Sequence, residues 1–402
     1  MKNKYDVIIA GAGIIGLAIA RSLLSQELKL KVLIIEKEHS LGAHSSGRNS
    51  GVLHAGFYYS PDSLKAKFCR DGNIEIRKLA ERHSIPVRNV GKVVVARNKE
   101  EFLRLEGLYK RGQENGVQLE FLAAEDLVNF EPLAKTHGAF LWSPTTGVSD
   151  PLKIIVALAD EVLAMGGEIR FGDAIEVNEN QRLCICGEVL ITKHFVNASG
   201  SQSDRIAHMF NLGLDYSMIP FMGVYRAVPA TEFPLRSLVY PVPHPLNPFL
   251  GVHFTLTSDN KVKIGPTAIP ILGREQYEIT KGWVLSDIQS SLLGLSSMLR
   301  HGAHDLPSLI RSEWPKVFEK NLISESSQLV PSVREVKGWH RKPPGIRSQL
   351  IHMPSGKLEQ DFIINEDSTS THILNAVSPG WTSALPLGKY ISERILGRIQ
   401  FS

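Results

Sequence analysis

The sequence predicts an α/β protein with a second, α+β domain, and two patterns support this prediction. Near the start, a short apolar strand, an apolar helix and a second strand follow one another within residues 6–36, which is the order of a βαβ unit. Further along, strands interrupted by prolines over residues 219–271 and a helical stretch over residues 281–320 are typical of a mostly antiparallel sheet covered by helices. A buried strand at 371–377 and a helix at 385–395 return the chain to the α/β pattern, so the two domains are expected to be interleaved.

The individual elements follow from apolar periodicity. In the βαβ unit, strands at Asp6–Ala10 and Val32–Glu36 flank a helix at Ile14–Leu24. The elements expected after it are a helix at 63–82, a strand at 92–96, helices at 99–115 and 151–165, and three short strands within 168–200. The turn-rich passage WSPTTGVSD at 142–150 indicates a change of domain. The domain boundaries that result are 1–80, 150–215 and 330–402 for the first domain, and 81–149 and 216–329 for the second.

Composition excludes some functions. The chain has 402 residues of which 43% are hydrophobic, enough to fill a core in each of two domains. Its 45 Lys and Arg residues barely exceed its 41 Asp and Glu residues, and no block of like charges occurs, so nothing supports nucleic-acid binding. The apolar run after Tyr5 is too short for a signal peptide or a spanning helix, which favours a cytoplasmic protein, or one bound peripherally to the inner face of the membrane.

The cysteines predict neither disulfides nor a metal site. Cys69, Cys184 and Cys186 are few and odd in number, as expected for free thiols in a reduced compartment. Cys184 and Cys186 could also be a metal pair. No second Cys or His pair with ligand spacing accompanies them, however, and the alternation in LCICGEV favours a strand.

A glycine motif lies between the first strand and the first helix. Gly11, Gly13 and Gly16 form G-x-G-x-x-G, and Glu36 follows at the end of the next strand, where a carboxylate can hold ribose hydroxyl groups. The first helical residues, Ile14 and Ile15, present backbone N–H groups and the positive end of the helix dipole to phosphates. This context predicts a Rossmann-like dinucleotide site. Lys37 is expected to contact the cofactor beside Glu36.

FAD and NAD share this motif, and two later segments favour FAD. VNASG at 196–200 ends a strand in small residues, and SPGWTSALPLG at 378–388 places small groups before a helix N-terminus. Both would let the backbone approach a flavin. The contacts expected from these segments are Ala198, Gly200, Ser378, Gly380, Thr382 and Ser383.

Longer stretches resemble one family nearly end to end. They are HSSGRNSGVLHAGFYYSPDSLKAKFC at 44–69, YPVPHPLNPFLGVHFT at 240–255, VKIGPTA at 262–268, PPGIRSQ at 343–349, DFII at 361–364 and LNAVSPGWTS at 374–383. On these the chain resembles the D-amino-acid-oxidase-like superfamily of FAD oxidoreductases, and within it the L-2-hydroxyglutarate dehydrogenase or oxidase family. The resemblance implies a discontinuous FAD-binding domain, an interleaved substrate domain and non-covalent FAD. It also implies flavin contacts from the loop at Ser46, Arg48, Asn49, Ser50 and Gly51.

The reaction implied by the resemblance is oxidation of the C2 hydroxyl of a short dicarboxylic acid to a ketone, with hydride passing to the flavin. A base must remove the hydroxyl proton, and His253 and then His54 are the candidates, with a structural role as the alternative for each. Arg347 is expected to grip a substrate carboxylate, unless it forms an ion pair within the protein. Tyr58 and Tyr59 either donate to a substrate carboxylate, pack on the flavin ring or belong to the core. The electron acceptor is open between oxygen, a quinone and an electron-transfer protein.

Two positions depart from the family pattern. After Pro-Phe the family usually has Arg-Gly-Asp-Tyr, whereas this chain has PFMGVYRAV at 220–228, so Met222 replaces a charge that Arg226 is expected to supply to the substrate instead. Trp381 stands where the family tends to have alanine. We expect these two changes to leave the fold and the FAD cofactor unaffected. They weaken the case for L-2-hydroxyglutarate as the exact substrate. The alternative functions are an amino-acid or amine oxidase of the same superfamily, a flavoprotein that binds ligand without efficient turnover, and an NAD-dependent dehydrogenase.

Overall fold

A computed structural model describes residues 4–178, 182–244, 249–278 and 281–399. Residues 245–248, within the second stretch that carries the family resemblance, lie outside the described part, as do 179–180 at the end of one expected strand run. The strands up to the middle of the chain are β1 (Lys4–Ala10), β2 (Val32–Glu36), β3 (Val52–Leu53), β4 (Lys92–Val95), β5 (Glu120–Ala123), β6 (Ala139–Ser143), β7 (Gly147–Val148), β8 (Glu168–Phe171), β9 (Glu176–Val177), β10 (Leu183–Ile185), β11 (Glu188–Val189) and β12 (Ile191–Asn197). The strands after it are β13 (Tyr216–Pro229), β14 (Leu238–Pro241), β15 (His253–Leu256), β16 (Lys261–Gly265), β17 (Ile269–Pro270), β18 (His340–His352), β19 (Lys357–Leu358), β20 (Ile364–Glu366) and β21 (Ser370–Ile373).

Helices connect and cover these strands. They are α1 (Ile14–Gln26), α2 (Leu64–Arg82), α3 (Lys99–Glu114), α4 (Leu127–Phe130), α5 (Pro151–Ala164), α6 (Ser203–Met209), α7 (Leu285–His301), α8 (Leu306–Glu313), α9 (Glu319–Ser326) and α10 (Ala384–Ile399). Side-chain caps fix several of them where the sequence has the right residue: Ser63 accepts a hydrogen bond from the N–H of Ala66 at the start of α2, and Asp150 does the same for Leu152 in α5. Within the described ranges, no helix combines the length and apolarity needed to cross a lipid bilayer.

The first sheet has six strands in the order β20-β21-β12-β1-β2-β8. Its pairs are parallel except at the edge, where β20 runs antiparallel to β21. Val7, Ile8 and Ile9 are fully buried, as expected for a central parallel strand that has helices on both faces. Helix α10 crosses α1 closely, because Gly388 lies so near Ala18 that a Cβ at residue 388 would come within 2.7 Å of its backbone.

The second sheet has ten strands. Nine follow the order β19-β18-β13-β16-β15-β14-β4-β6-β5, and β17 pairs with β13 beside them. All of its pairs are antiparallel except β14 with β4. The α/β class with a mostly antiparallel second sheet, predicted from the sequence, is confirmed. The LCICGEV segment forms the hairpin of β10 and β11, in agreement with its alternation.

One expected domain range differs from the sheet topology. Residues 330–402 were expected to belong wholly to the first domain, but β18 pairs with β13 from Tyr216 opposite His352 to Ala227 opposite His340. This strand is therefore part of the second sheet, and the chain returns to the first sheet only at β20. The long strand β13 needs a partner along its whole length, and this non-local pairing has no signature in the sequence of β18 itself.

Candidate active site

The glycine motif forms a tight cradle at the carboxyl end of β1. Gly11 has a φ of +102°, and a Cβ there would lie 2.6 Å from the carbonyl oxygen of Ala198. A Cβ on Gly16 would collide with the carbonyl oxygen of Gly11. Only glycine satisfies both positions, so β1, α1 and the end of β12 come close together at the N-terminus of α1.

Polar side chains complete this cradle. The Ser46 hydroxyl accepts a hydrogen bond of 3.0 Å from the N–H of Ile14, next to Gly13 at the start of α1, and Ile15 follows as the second residue of that helix. The Glu36 carboxylate accepts hydrogen bonds from the N–H of Ala12 at 2.9 Å and from that of Glu38 at 3.0 Å. Glu36 therefore lies beside the α1 N-terminus, where the dinucleotide fold places a ribose.

Lys37 does not join the cradle through its side chain. Its ammonium group lies 2.6 Å from the carboxylate of Glu38 and 2.8 Å from that of Glu275. These bonds turn the side chain toward the segment after β17. A contact of Lys37 with the cofactor stays a prediction. Because these two carboxylates occupy the ammonium group, only the Lys37 backbone is available for such a contact.

The loop before β3 is held by its own polar groups. The Asn49 amide donates a hydrogen bond of 2.6 Å to the carbonyl oxygen of Ser46 and accepts one of 2.8 Å from the N–H of Gly51. Arg48 donates to the carbonyl oxygen of Ala43 at 2.6 Å. Among the predicted flavin contacts, Arg48 and Asn49 thus shape the loop, and Ser50 is half-buried within it.

The loop SPGWTS at 378–383 is hydrogen-bonded to β3 and to the segment that follows β3. Thr382 donates a hydrogen bond of 3.1 Å to the carbonyl oxygen of Val52 and accepts one of 3.3 Å from the N–H of His54. The Ser383 hydroxyl and the Trp381 indole N–H are buried and have no hydrogen-bond partner among the described residues. Buried polar groups normally have a partner, so these two atoms are suited to a ligand rather than to the protein. Together with the glycine cradle they fit a dinucleotide cofactor.

One face of the ten-stranded sheet carries most of the predicted catalytic residues. Strand register places His253 opposite Gly265, and Tyr240 beside it on β14. Arg347 lies opposite Phe221, on the same face of β13 as Tyr225. We call this face, with Lys92, Tyr225, Tyr240, His253 and Arg347, the site face. These five residues come from five strands, some of which are far apart in sequence.

Arg226 and Met222 lie on the opposite face. The guanidinium of Arg226 forms an ion pair of 2.5 Å with Glu319 on α9 and donates to the carbonyl oxygen of Trp339. Met222 packs with Val224 in a small apolar cluster. The expectation that Arg226 supplies a charge to the substrate in place of Met222 is therefore not supported, because β13 directs both side chains away from Arg347. The loss of charge at Met222 leaves the site face unaffected.

His253 is held in one tautomer. Its Nδ1 lies 2.8 Å from the carbonyl oxygen of Gly251, which can only accept, so Nδ1 carries the proton and Nε2 has the free lone pair. The ring stacks on Tyr240 with 3.8 Å between ring centroids. Burial, together with the positive charges of Arg347 and Lys92, lowers the pKa of His253 to about 3. His253 is thus neutral at physiological pH and able to accept a proton.

His54 lies beside His253 on the segment that follows β3. Its Nδ1 is buried without a partner among the described residues, and burial holds its pKa well below the usual range, with Lys92 and His253 adding to the effect. Its backbone is fixed from α2, since the Asn73 amide donates to the His54 carbonyl oxygen at 3.1 Å. The two candidate bases are therefore both neutral and within electrostatic reach of each other.

Tyr58 and Tyr59 follow His54 in the same segment. The Tyr58 hydroxyl is buried with no partner among the described residues, whereas the Tyr59 hydroxyl hydrogen-bonds the Ser378 side chain. Burial raises the pKa of both phenols well above the usual value. Both are therefore neutral hydrogen-bond donors. Through Ser378, Tyr59 links the loop SPGWTS to the site face.

Arg347 reaches the same region from β18. Its Nη1 is buried and has no hydrogen-bond partner among the described residues, and the guanidinium carbon lies 5.7 Å from the centroid of the Phe249 ring. Its charge acts on His253 and on Tyr59. No carboxylate within the described residues is close enough to hydrogen-bond Nη1, which favours a substrate-binding role over the ion-pair alternative.

Sequence reasoning missed Lys92. This residue starts β4, is fully buried, and has no hydrogen-bond partner for its ammonium group among the described residues. Burial lowers its pKa to about 7. In the sequence, GKVVVA resembles an ordinary strand with a polar first residue. The only available signal was that a lysine two positions before Val94 shares its face, which strand alternation predicts to be buried.

A dinucleotide cradle joined to a buried, cation-lined face with two neutral histidines defines the class of protein: a nucleotide-cofactor oxidoreductase that acts on a small anion. Comparison with known families narrows this class. Residues 6–394 match the family model described as FAD dependent oxidoreductase (DAO), and the chain belongs to this family. It is an FAD-dependent oxidoreductase, and the prediction of FAD as cofactor is confirmed.

Relatives of known name cover almost the whole chain. It is 33% identical over 417 residues to the mitochondrial L-2-hydroxyglutarate dehydrogenase of Caenorhabditis elegans, covering 99% of this chain and 94% of the relative. It is 32% identical over 403 residues to the L-2-hydroxyglutarate dehydrogenase of Escherichia coli strain K12, covering 97% and 93%. The family resemblance predicted from the sequence is confirmed.

Solved structures show the same fold. The L-alpha-glycerophosphate oxidase of Mycoplasma pneumoniae with FAD bound has a TM-score of 0.74 at 24% identity, covering 98% of this chain and 95% of that chain. The glycine oxidase of Geobacillus kaustophilus has a TM-score of 0.72 at 19% identity with the same coverage. At this identity the likeness supports the fold alone.

Proposed function

We propose that this enzyme oxidises L-2-hydroxyglutarate to 2-oxoglutarate, with His253 as the base. The observation that carries the proposal is the tautomer of His253: its Nδ1–H is fixed on Gly251, so Nε2 is the atom that accepts the C2 hydroxyl proton. A positioned base of this kind contributes about 100- to 10,000-fold in rate. The names of the relatives supply the substrate.

The substrate is bound through its charge. Arg347 grips the carboxylate next to C2 with its guanidinium, whose Nη1 has no acceptor within the described residues. Tyr58 donates its hydroxyl hydrogen to the same end of the substrate. These contacts hold the C2 hydroxyl near Nε2 of His253, while His54 lines the opposite side and remains neutral.

The cofactor supplies one piece of chemistry: bound FAD accepts the hydride from C2. The residues that would hold it are the glycine cradle, Glu36, Ser46 and the loop at 378–383, including the buried Ser383 hydroxyl. The protein has three cysteines, and Cys69 is buried with its Sγ–H donating to the His54 carbonyl oxygen, so it is occupied within the protein. We therefore propose that FAD is bound non-covalently. The electron acceptor stays a prediction, open between oxygen, a quinone and an electron-transfer protein. We propose a cytoplasmic enzyme, with contact at the inner membrane surface as the alternative.

The experiment is a substrate panel with product identification. The purified enzyme is incubated with an artificial electron acceptor and L-2-hydroxyglutarate, D-2-hydroxyglutarate, L-malate, L-lactate or one of several amino acids. We expect 2-oxoglutarate from the L-isomer at a kcat/KM at least about tenfold above any other acid. Turnover of an amino acid to its oxo acid would instead assign the enzyme to C–N oxidation. Retained FAD without any turnover would leave a ligand-binding flavoprotein.

A further inference from the structure

The buried lysine on β4 has no counter-charge in contact with it. Lys92 is 0% exposed, and its Nζ has no hydrogen-bond partner among the described residues, so no carboxylate of that part of the chain lies within hydrogen-bonding distance. A buried ammonium group is unfavourable unless it is paired. A protein retains such a group when a ligand supplies the missing charge.

Aromatic rings surround the ammonium group but cannot accept its hydrogens as an anion would. Nζ lies 4.3 Å from the ring centroid of Tyr240, 5.1 Å from that of Tyr58 and 5.3 Å from that of Phe57. Ring faces attract a cation and so keep Nζ in place. They leave three N–H donors without oxygen acceptors, and this is the geometry of a preorganised anion site.

The lysine belongs to the same buried cluster of side chains as the candidate bases. Tyr240 contacts Nζ of Lys92 and also stacks on His253. The charge of Lys92 lowers the pKa of both His54 and His253, which requires the three groups to lie near one another. Lys92 and Arg347 thus act on one imidazole from two strands.

We propose that Lys92 binds the distal carboxylate of the substrate and makes the enzyme selective for dicarboxylic over monocarboxylic 2-hydroxy acids. This inference rests on the proposed function, in which Arg347 holds the carboxylate next to C2. The charges then balance: a dianionic substrate meets two cations, Lys92 and Arg347, whose Nζ and Nη1 have no acceptor in the described part of the protein. The apolar and aromatic wall of Phe57, Tyr58 and Tyr240 excludes water from the pair and strengthens it.

The test compares Lys92→Met with wild-type holoenzyme. The probes are glutarate and valerate, which have the same chain length but two carboxylates and one. Their dissociation constants are measured from the perturbation of the flavin absorption band, and kcat/KM is measured for L-2-hydroxyglutarate and L-2-hydroxyvalerate. Lys65→Met is the matched control, because Lys65 is also buried but lies over Phe362 near Asp361, outside the site face.

We expect Lys92→Met to weaken glutarate binding about 30-fold or more and to change valerate binding less than about threefold, since one partner of a buried charge pair is lost for glutarate only. Lys92→Arg should recover part of the preference for glutarate. Lys65→Met should leave the ratio of the two constants unchanged. Three results would each overturn the proposal. Lys92→Met could lose equal affinity for both acids, it could lose no affinity for glutarate, or the wild type could show no preference for glutarate over valerate.

The inference and the proposed function fail in different ways. Suppose that Lys92→Met loses affinity for glutarate but not for valerate, while L-2-hydroxyglutarate does not reduce the wild-type flavin. The dicarboxylate site is then correct and the substrate assignment is wrong. If L-2-hydroxyglutarate is oxidised and glutarate binding does not depend on Lys92, the function stands and the role of the lysine is wrong. Should Lys92→Met fail to fold, the Lys92→Arg and Lys92→Gln variants are compared in the same titrations.

Discussion

Replacing Lys92 by methionine should stabilise the substrate-free holoenzyme. The fall of the Lys92 pKa from the ordinary 10.5 to about 7 corresponds to roughly 5 kcal/mol of disfavoured charge at about 1.4 kcal/mol for each pKa unit. Methionine removes this charge but also its attraction to the three rings, which is worth about 0.5–2 kcal/mol for each good contact. At about 1 kcal/mol for each ring, the three contacts offset about 3 kcal/mol, and a net gain of about 2 kcal/mol remains. At the usual unfolding entropy per residue, a chain of 402 residues should then gain about 2 °C in Tm.

The pH dependence identifies the cause. The folded pKa of Lys92 lies below its unfolded value, so the unfolded chain binds more protons between about pH 7 and pH 10.5, and wild-type stability rises with pH across this window. The methionine variant lacks that contribution. Its advantage in Tm should therefore be largest at or below pH 7 and should fade as the pH approaches 10. His54, Cys69, Tyr58, Tyr240 and His253 face Lys92 in both proteins, so their own titration largely cancels in the difference.

Thermal unfolding of the two holoenzymes, followed by flavin fluorescence at pH 6.5 and pH 9.5 without substrate, measures this effect. Lys110→Met serves as the control because Lys110 is exposed on α3 and should shift Tm by less than about 1 °C. A lower Tm for Lys92→Met at pH 6.5 would refute the reasoning, since it would mean that the ammonium group is already well compensated in the free enzyme. An advantage that does not depend on pH would point to packing instead of charge.

Four further substitutions test the rest of the site. Gly11→Ala should yield protein with little bound flavin, because the new Cβ would lie 2.6 Å from the Ala198 carbonyl oxygen at a φ of +102°. The ratio of the absorbances at about 450 and 280 nm measures the flavin content. A full flavin content would contradict the role of the glycine cradle in FAD binding. His253→Asn should retain FAD but slow anaerobic flavin reduction by about 100-fold or more, and an unchanged rate would exclude His253 as the base. Arg226→Met should change the KM for L-2-hydroxyglutarate less than about threefold, because Arg226 pairs with Glu319 on the opposite face of the sheet. Arg347→Met should raise this KM much more. Equal effects of the two substitutions would contradict the placement of Arg347 on the site face and Arg226 on the opposite face.

The first domain could be predicted from sequence because its determinants are local. Gly11 and Gly16 of the motif meet a steric requirement that no other residue meets, and the strands on either side of α1 are continuous apolar runs. The position of Glu36 follows from the length of the βαβ unit. Apart from the close approach of Gly11 to Ala198, these features depend on neighbours within about 30 residues, which periodicity and spacing capture.

The site face could be predicted only in part, because it is assembled by strand register. His253 and Arg347 were found through family resemblance, but nothing in the sequence shows that β13 directs Tyr225 toward the site and Arg226 toward Glu319. One residue along a strand changes the face. Lys92 was missed for the same reason, since its partners Tyr58 and Tyr240 come from segments on either side of it in the chain and meet it only in the folded sheet.

The most direct test of the central claim is an anaerobic titration of the FAD-loaded protein with L-2-hydroxyglutarate, followed at the flavin band near about 450 nm. If the enzyme oxidises this substrate, roughly one equivalent of the L-isomer bleaches the flavin and forms one equivalent of 2-oxoglutarate, while the D-isomer and L-lactate leave the band unchanged. A flavin that stays oxidised with the L-isomer, or that is bleached equally by both isomers, would contradict the account.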